Sequence, residues 1–230
     1  MDSLFDQYDN IVVFDVETTG LDCKTDEIIE LAAVRVRAEE KPYRVEEELD
    51  VLIRLSGEKR LPGLITGLTG ITEQMLLQTG VEKDVAGESF ARILNHPKTL
   101  VVAYNAQFDL CFLYYLLSIQ NRAEVLKRVK LLDAMTVYKD RRDYPHKLSD
   151  AVSAYSLSGQ NTHRAIDDAK ATLELLLAMT GEKDDLTRYI NIFGYNPKYG
   201  VPQPKISTVT YVPQAFNRRG ALYESAESNG

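Results

Sequence analysis

The chain has 230 residues, 44% of them hydrophobic, and its 34 acids against 27 Lys and Arg give a formal net charge of −7. That supplies a large core for one domain of roughly 180 residues plus an appendage, or for one domain of unusual length. It excludes a membrane-spanning helix, since no apolar run approaches roughly 20 residues, and the start Met1-Asp2-Ser3-Leu4-Phe5-Asp6 lacks the basic-then-apolar layout of a secretion signal, so a soluble, cytoplasmic protein is expected.

Residues 11–16 read as a short buried strand and 28–36 as a second, with β-branched residues in both and a turn region over 20–26 between them. Residues 44–55 place Val45, Leu49, Val51, Ile53 and Leu55 against mostly polar neighbours, which predicts a third strand and a meander. Glycines at 63, 67 and 70 break residues 61–77 into short helical turns. An amphipathic helix follows over 84–95, then a fourth strand over 99–103, a helix from 106 to about 119, and a short fifth strand over 130–132. Further helices are expected over 134–141, 148–155 and 164–179. Three sequential strands, then strands alternating with helices, specify an α/β layer fold with a mixed sheet.

After Gly181 the texture changes. One more helix is expected over 184–192, then a stretch over 194–213 with four prolines and Tyr195, Tyr199 and Tyr211, then disorder over 217–230. Residues 1–181 therefore read as the domain and 182–230 as a C-terminal helix and tail. Cys23 and Cys111 lie far apart without CxxC spacing, so neither a disulfide framework nor a zinc site is suggested and both read as packing residues.

The negative charge argues against a nucleic-acid partner, because phosphate contacts supply most sequence-independent affinity. Its distribution softens the objection. Residues 22–50 hold ten acids against five bases, residues 122–147 hold eight Lys and Arg against four acids, and residues 196–223 hold four bases and no acid. Carboxylates neutralised by divalent metal would also cease to count as surface acidity.

Three groups of acids are out of place. Asp15 and Glu17 end the most apolar strand and, two apart, leave it on one face, where two carboxylates repel unless a cation or proton intervenes. An Asp-x-Glu pair is also about what chance supplies in a chain with this many acids. Asp109 shares a helix face with Phe112, Leu113 and Leu116, the core face; an acid in a first turn is often only a cap, but capping does not explain facing inward. In the run His163 to Ala169, Asp167 stacks with Lys170 and Glu174 on a polar row, whereas Asp168 stacks with Thr172, Leu175 and Met179 and is the inward acid. His163 stands at the helix entrance, where an imidazole can approach a water, although an isolated histidine is more often structural or merely exposed. His96 and His146, each beside a proline, read as loop residues.

Together, Phe14-Asp15-Val16-Glu17-Thr18-Thr19-Gly20-Leu21, Tyr104-Asn105-Ala106-Gln107-Phe108-Asp109 and His163-x₄-Asp168 resemble the three signature segments of the DEDDh exonucleases, a family that includes the proofreading epsilon subunit of bacterial replicative DNA polymerase. The likeness spans residues 8–180, and Asp133 looks like the acid that opens the family's next helix. Tyr104 is a departure, since many relatives carry histidine there, but that residue is not a metal ligand in the family. The resemblance implies an RNase H-like fold with a mixed five-stranded sheet and helices on both faces. It also implies 3′→5′ hydrolysis of phosphodiester bonds, with DNA favoured, releasing 5′-mononucleotides.

Carried over residue by residue, the resemblance implies two divalent ions, Mg²⁺ or Mn²⁺: Asp15 would bridge both, Glu17 and Asp168 would complete one site, and Asp109 would hold the other directly or through water. His163 would take a proton from the attacking water. The terminal 3′-hydroxyl would lie near Glu17 and the Thr18-Thr19-Gly20-Leu21 turn, with Leu21 wedged between the last two bases and Asn105 and Phe108 beside them. Lys139, Arg141, Arg142 and Lys147 are candidates for backbone contacts, although such a basic run is more often a solvated face. The partner implied is nucleic acid with a free 3′ end, and a DNA polymerase or another replication or repair protein is compatible, with the tail from Gly194 as a docking arm or a plain packing strap. An RNA-trimming enzyme of the same family and a non-catalytic binding module are the alternatives.

Overall fold

The computed structural model describes residues 3–37, 43–159, 162–215 and 220–227. Strands β1 (Asn10–Thr18), β2 (Ile28–Arg37) and β3 (Val45–Leu52) form the expected antiparallel meander. Beyond β1, strands β4 (Thr99–Ala103) and β5 (Lys130–Asp133) add in parallel, giving the order β3-β2-β1-β4-β5. Parallel neighbours need a crossover. Helices α2 (Gly63–Thr69), α3 (Glu73–Thr79) and α4 (Lys83–Leu94) supply it between β3 and β4, while α5 (Ala106–Ser118) and α6 (Val125–Arg128) supply it between β4 and β5. A first short helix, α1 (Ser3–Gln7), precedes the sheet.

Alternate residues of each strand feed two cores, one on each face. Ile11, Val13, Val34, Leu100 and Val102 meet α7 (Ala134–Arg141), α8 (Leu148–Ala154) and α9 (Ala165–Glu182). Val12, Phe14, Leu31, Ala33 and Val101 meet Phe90 and Ile93 of α4 and Leu113 and Leu117 of α5. With helices on both faces, β1, β2 and β4 are buried almost throughout, as a near-continuous apolar run requires. Each large side chain so buried contributes roughly 1.5–3 kcal/mol.

Four expectations need correction. The helix expected over 184–192 is a 3₁₀ turn, Leu186–Tyr189, followed by strand β6 (Ile192–Tyr195), which pairs in parallel with β7 (Thr210–Pro213). Asn191 donates its N–H to Leu131 O at 2.8 Å and accepts from Leu131 N through its side chain at 2.9 Å, so the apolar run after Tyr189 is pulled onto β5 rather than left to wind. Disorder was expected over 217–230, but within it α10 (Leu222–Glu227) buries Leu222 and Tyr223, and the Tyr223 hydroxyl donates to Asp185 at 3.0 Å; residues 217–219 and 228–230 lie outside the described residues. Cys23 and Cys111 are not separate packing residues: the loop after β1 folds over α5, their Cα atoms lie 6.0 Å apart, and the two form a disulfide. Arg141 and Arg142 are not free for backbone contacts, since Arg141 binds Asp185 and Glu182, and Arg142 binds Glu182 at 2.8 Å. The described part of the tail thus packs as a strap against the domain.

Candidate active site

The carboxylates meet where β1 ends, between the sheet and the first turns of α5 and α9. Asp15 and Glu17 leave β1 on the α9 face, both half-buried. At Glu17 the pairing with β2 slips, Glu17 opposing Glu30 and Thr18 opposing Ile28. Such a bulge bends the strand and re-aims side chains, and here it turns the chain into the loop that carries Leu21.

Asp109 reaches the same place from the other face. It lies one turn into α5 and is 3% exposed, and its Oδ1 accepts the Val16 N–H at 3.3 Å. The helix start is fixed by Asp133, which accepts the N–H groups of Asn105 and Ala106 at 2.9 and 3.1 Å. Asp133 also accepts from Met135 N and the Thr136 hydroxyl, and so opens α7 as expected. Asn105 takes the left-handed conformation (φ 65°) that lets the chain turn from β4 into α5.

Asp168 lies one turn into α9 and is 6% exposed. His163 stands just before that helix at φ 58°, with its ring exposed. Ligand atoms of Glu17, His163 and Asp168 all lie within 4.8 Å of one another. Neighbouring Asp167 points away and accepts the Thr162 hydroxyl at 2.6 Å, which settles which acid of the pair faces inward.

A residue that the sequence reading passed over sets this geometry. Glu30 is 0% exposed in mid-β2 and accepts from Arg164 Nε and the Ala165 N–H, both at 2.8 Å. An anion there satisfies an otherwise unpaired N–H of α9 and suits the positive end of the helix. The clamp ties α9 to β2, and one turn on, Asp168 faces Glu17. Its sequence signal was a lone acid within the apolar run 28–34.

The electrostatics follow from this crowding. Burial, then the charges on Asp109, Asp168, Glu17 and Glu30, holds the Asp15 carboxyl well above the ordinary carboxylate range. Glu17 is pushed up to about 8 by burial, then by Asp168, Glu30 and Asp109, with Arg164 opposing. Asp109 is pushed up to about 8, again by burial first, although two backbone N–H groups favour its charged form. Protons or cations must offset such a cluster. The donors are hard carboxylate oxygens with one imidazole, a set that fits Mg²⁺ or Mn²⁺.

Of the expected substrate-side residues, Leu21, Asn105 and Phe108 line one cleft. The Thr18 hydroxyl donates to Gly20 O at 2.6 Å, and Asp26 accepts from the Thr19 hydroxyl at 3.3 Å and from Asp22 N at 2.9 Å. A Cβ on Gly20 would run into the Asp26 carboxylate, so a larger residue there would push that brace aside. Leu21 is left 86% exposed at the loop tip. Phe108 is half-buried and packs on Phe112, with ring centroids 5.0 Å apart. Of the other basic candidates, Lys147 is exposed and Lys139 is partly buried near Asp133.

The sheet order and the helices on both faces define an RNase H-like fold. Exonuclease I of E. coli, in the zinc-bound form of its complex with single-stranded DNA, superposes with a TM-score of 0.69 at 20% identity, over 80% of this chain and 43% of that one. The chain belongs to the exonuclease family of the RNase T type, whose profile matches residues 12–176. Among its relatives are the PolC-type DNA polymerases III of Clostridium perfringens, 34% identical over 172 residues, and Bacillus subtilis, 35% identical over 173. Each match takes in 73% of this chain but 11% of the polymerase. The chain therefore spans about a tenth of the length of these curated relatives.

Proposed function

We propose that the chain is a 3′→5′ DNA exonuclease that removes nucleotides singly from a free 3′ end with the help of two divalent cations, Mg²⁺ or Mn²⁺. The observation that carries this reading is the mutual crowding of Asp15, Glu17, Asp109 and Asp168, brought together from β1, α5 and α9, with ligand atoms of His163, Glu17 and Asp168 within 4.8 Å of one another, in a chain of the exonuclease family. DNA is favoured because the matched relatives are DNA polymerases and the structural neighbours include exonuclease I bound to DNA. A polymerase or another replication protein as partner, and a cytoplasmic setting, belong to the same reading. So does the division into a catalytic domain over 1–181 and a C-terminal extension.

When bound, the two cations supply charge stabilisation at the scissile phosphate and a nucleophile near neutral pH. The residues do the rest. Asp15, Glu17, Asp168 and Asp109, the last oriented by the Val16 N–H, would hold the cations. His163, exposed on the loop before α9, takes the proton from the attacking water. Glu17 and the Thr18-Thr19-Gly20 turn hold the terminal 3′-hydroxyl, while Leu21 separates the last two bases and Asn105 and Phe108 flank them. Wedging and stacking impose little sequence preference.

Asp15→Ala or Asp168→Ala should abolish release of mononucleotides from a labelled DNA strand while circular dichroism shows a folded protein. Full activity in either variant would remove the assignment. Faster digestion of a matched RNA strand would transfer the reading to RNA trimming.

A further inference from the structure

Between the loop that carries Leu21 and the start of α5 lies a cleft of about 260 Å³ whose two walls come from different parts of the chain. Leu21 and Phe108 form the inner wall; Phe193, Pro202, Gln203 and Tyr211 form the outer. The outer residues belong to the strap, beyond the 12–176 span that the exonuclease family matches.

We propose that the strap is part of the substrate site, and that its Phe193-Pro202-Gln203-Tyr211 wall takes up one of the two bases at the 3′ end of a DNA strand. This rests on the nuclease reading above and adds a specificity element to it. The cleft's chemistry suits a base: the half-buried rings of Phe108 and Tyr211 offer surface for stacking and the exposed Gln203 amide can meet a base edge, while Phe193, 2% exposed, backs Tyr211. Its volume suits a single planar ring system rather than a larger ligand. Asp133 at its floor is committed to the N–H groups that start α5 and α7, so its charge does not face an incoming strand unpartnered. Residues 196–215 carry Lys198 and Lys205 and no acid, in a chain of net charge −7. The strap therefore adds no negative charge to repel a phosphate backbone.

The wall is also latched to the inner one. Gln107, next to Phe108, donates to Pro204 O at 2.9 Å and accepts from the Tyr211 hydroxyl at 2.5 Å. Tyr211 in turn accepts Ile206 N at 2.9 Å and packs edge-on against Phe193. At the other end, Gly194 N donates to the Thr136 hydroxyl at 3.0 Å, and Thr136 donates to Asp133 at 2.6 Å. A strap that served only to cover the core would not need to end on the residues that set Asn105 and Phe108.

The test pairs protein and substrate changes in the full chain. Binding of a fluorescent single strand is followed by anisotropy with Mg²⁺ in an Asp168→Asn background, where the strand stays uncut, and KM and kcat are measured in the otherwise native enzyme. Tyr211→Leu should weaken binding roughly five-fold or more, raising KM more than it lowers kcat. Gln203→Ala, at an exposed position that folding tolerates, should act in the same direction. Both penalties should vanish when an abasic nucleotide replaces the terminal or the penultimate residue. Binding by Gln203→Ala and Tyr211→Leu equal to the native wall, or penalties that persist whichever base is removed, would overturn the proposal. Because the anisotropy arm needs no cleavage, a strand that binds but is never cut counts against the nuclease reading alone.

Discussion

Replacing Asp109 by Asn should stabilise the metal-free protein, which is the reverse of what most substitutions at a buried polar residue do. Asn keeps the Oδ1 that accepts the Val16 N–H and removes a charge from the cluster. The Asp109 carboxyl is raised from 3.8 to about 8 by burial and by neighbouring acids. Because the folded-state value is raised, the folded protein holds a proton that the unfolded chain releases between about pH 4 and pH 8. Native stability therefore falls as pH rises through that window. At about 1.4 kcal/mol per pH unit, the cost at pH 7 is on the order of 4 kcal/mol, and at pH 5 about 1–2 kcal/mol. The four carboxyls exchange protons as a unit, so these are ceilings for one residue.

Thermal unfolding in EDTA should give Asp109→Asn a higher Tm than the native protein, by roughly 2–4 °C per kcal/mol, with the gap widening from pH 5 to pH 8. Adding Mg²⁺ or Mn²⁺ should raise the native Tm strongly and that of the variant far less, since a cation stabilises the fold it binds. A variant no more stable than native at pH 8 without metal, or a gap independent of pH, would refute the electrostatic reasoning.

Two more predictions bear on the supports of the site. Arg164→Met leaves Glu30 buried without its cation and opposite Glu17; urea unfolding should show a loss of about 3–5 kcal/mol, and kcat should fall because α9 no longer holds Asp168 in register. A loss under 1 kcal/mol would make the clamp dispensable. Breaking the Cys23–Cys111 link, which closes 88 residues of sequence, by Cys111→Ser or a strong thiol reductant should cost roughly 2–4 kcal/mol. It should also raise hydrogen exchange in the loop that carries Leu21. Two free thiols titrated in the unreduced folded protein would show that the pair is unlinked, the state that a reducing cytosol favours.

How much of this was legible depended on the range over which each signal acts. Strands β1, β2 and β4 announced themselves through local runs of β-branched residues, and β4 and α7 ended at the residues their patterns implied. Asp109 and Asp168 were legible because helical periodicity put an acid on an apolar face, and both are buried. The misses all involve partners remote in sequence. Arg141 and Arg142 looked solvated because the acids that neutralise them, Glu182 and Asp185, lie some forty residues on, at and just beyond the end of α9. Residues 192–195 became a strand because Asn191 found Leu131. Nothing near Cys23 signals Cys111, and Glu30 was hidden inside a run that read simply as apolar.

The account turns on acids from three segments forming one cation site. Crystals soaked in Mn²⁺ and measured at the manganese edge test that directly. Two anomalous peaks about 4 Å apart, bounded by Asp15, Glu17, Asp109 and Asp168, are expected. Crystals that diffract well yet show no peak there, or manganese bound only elsewhere on the surface, would contradict it.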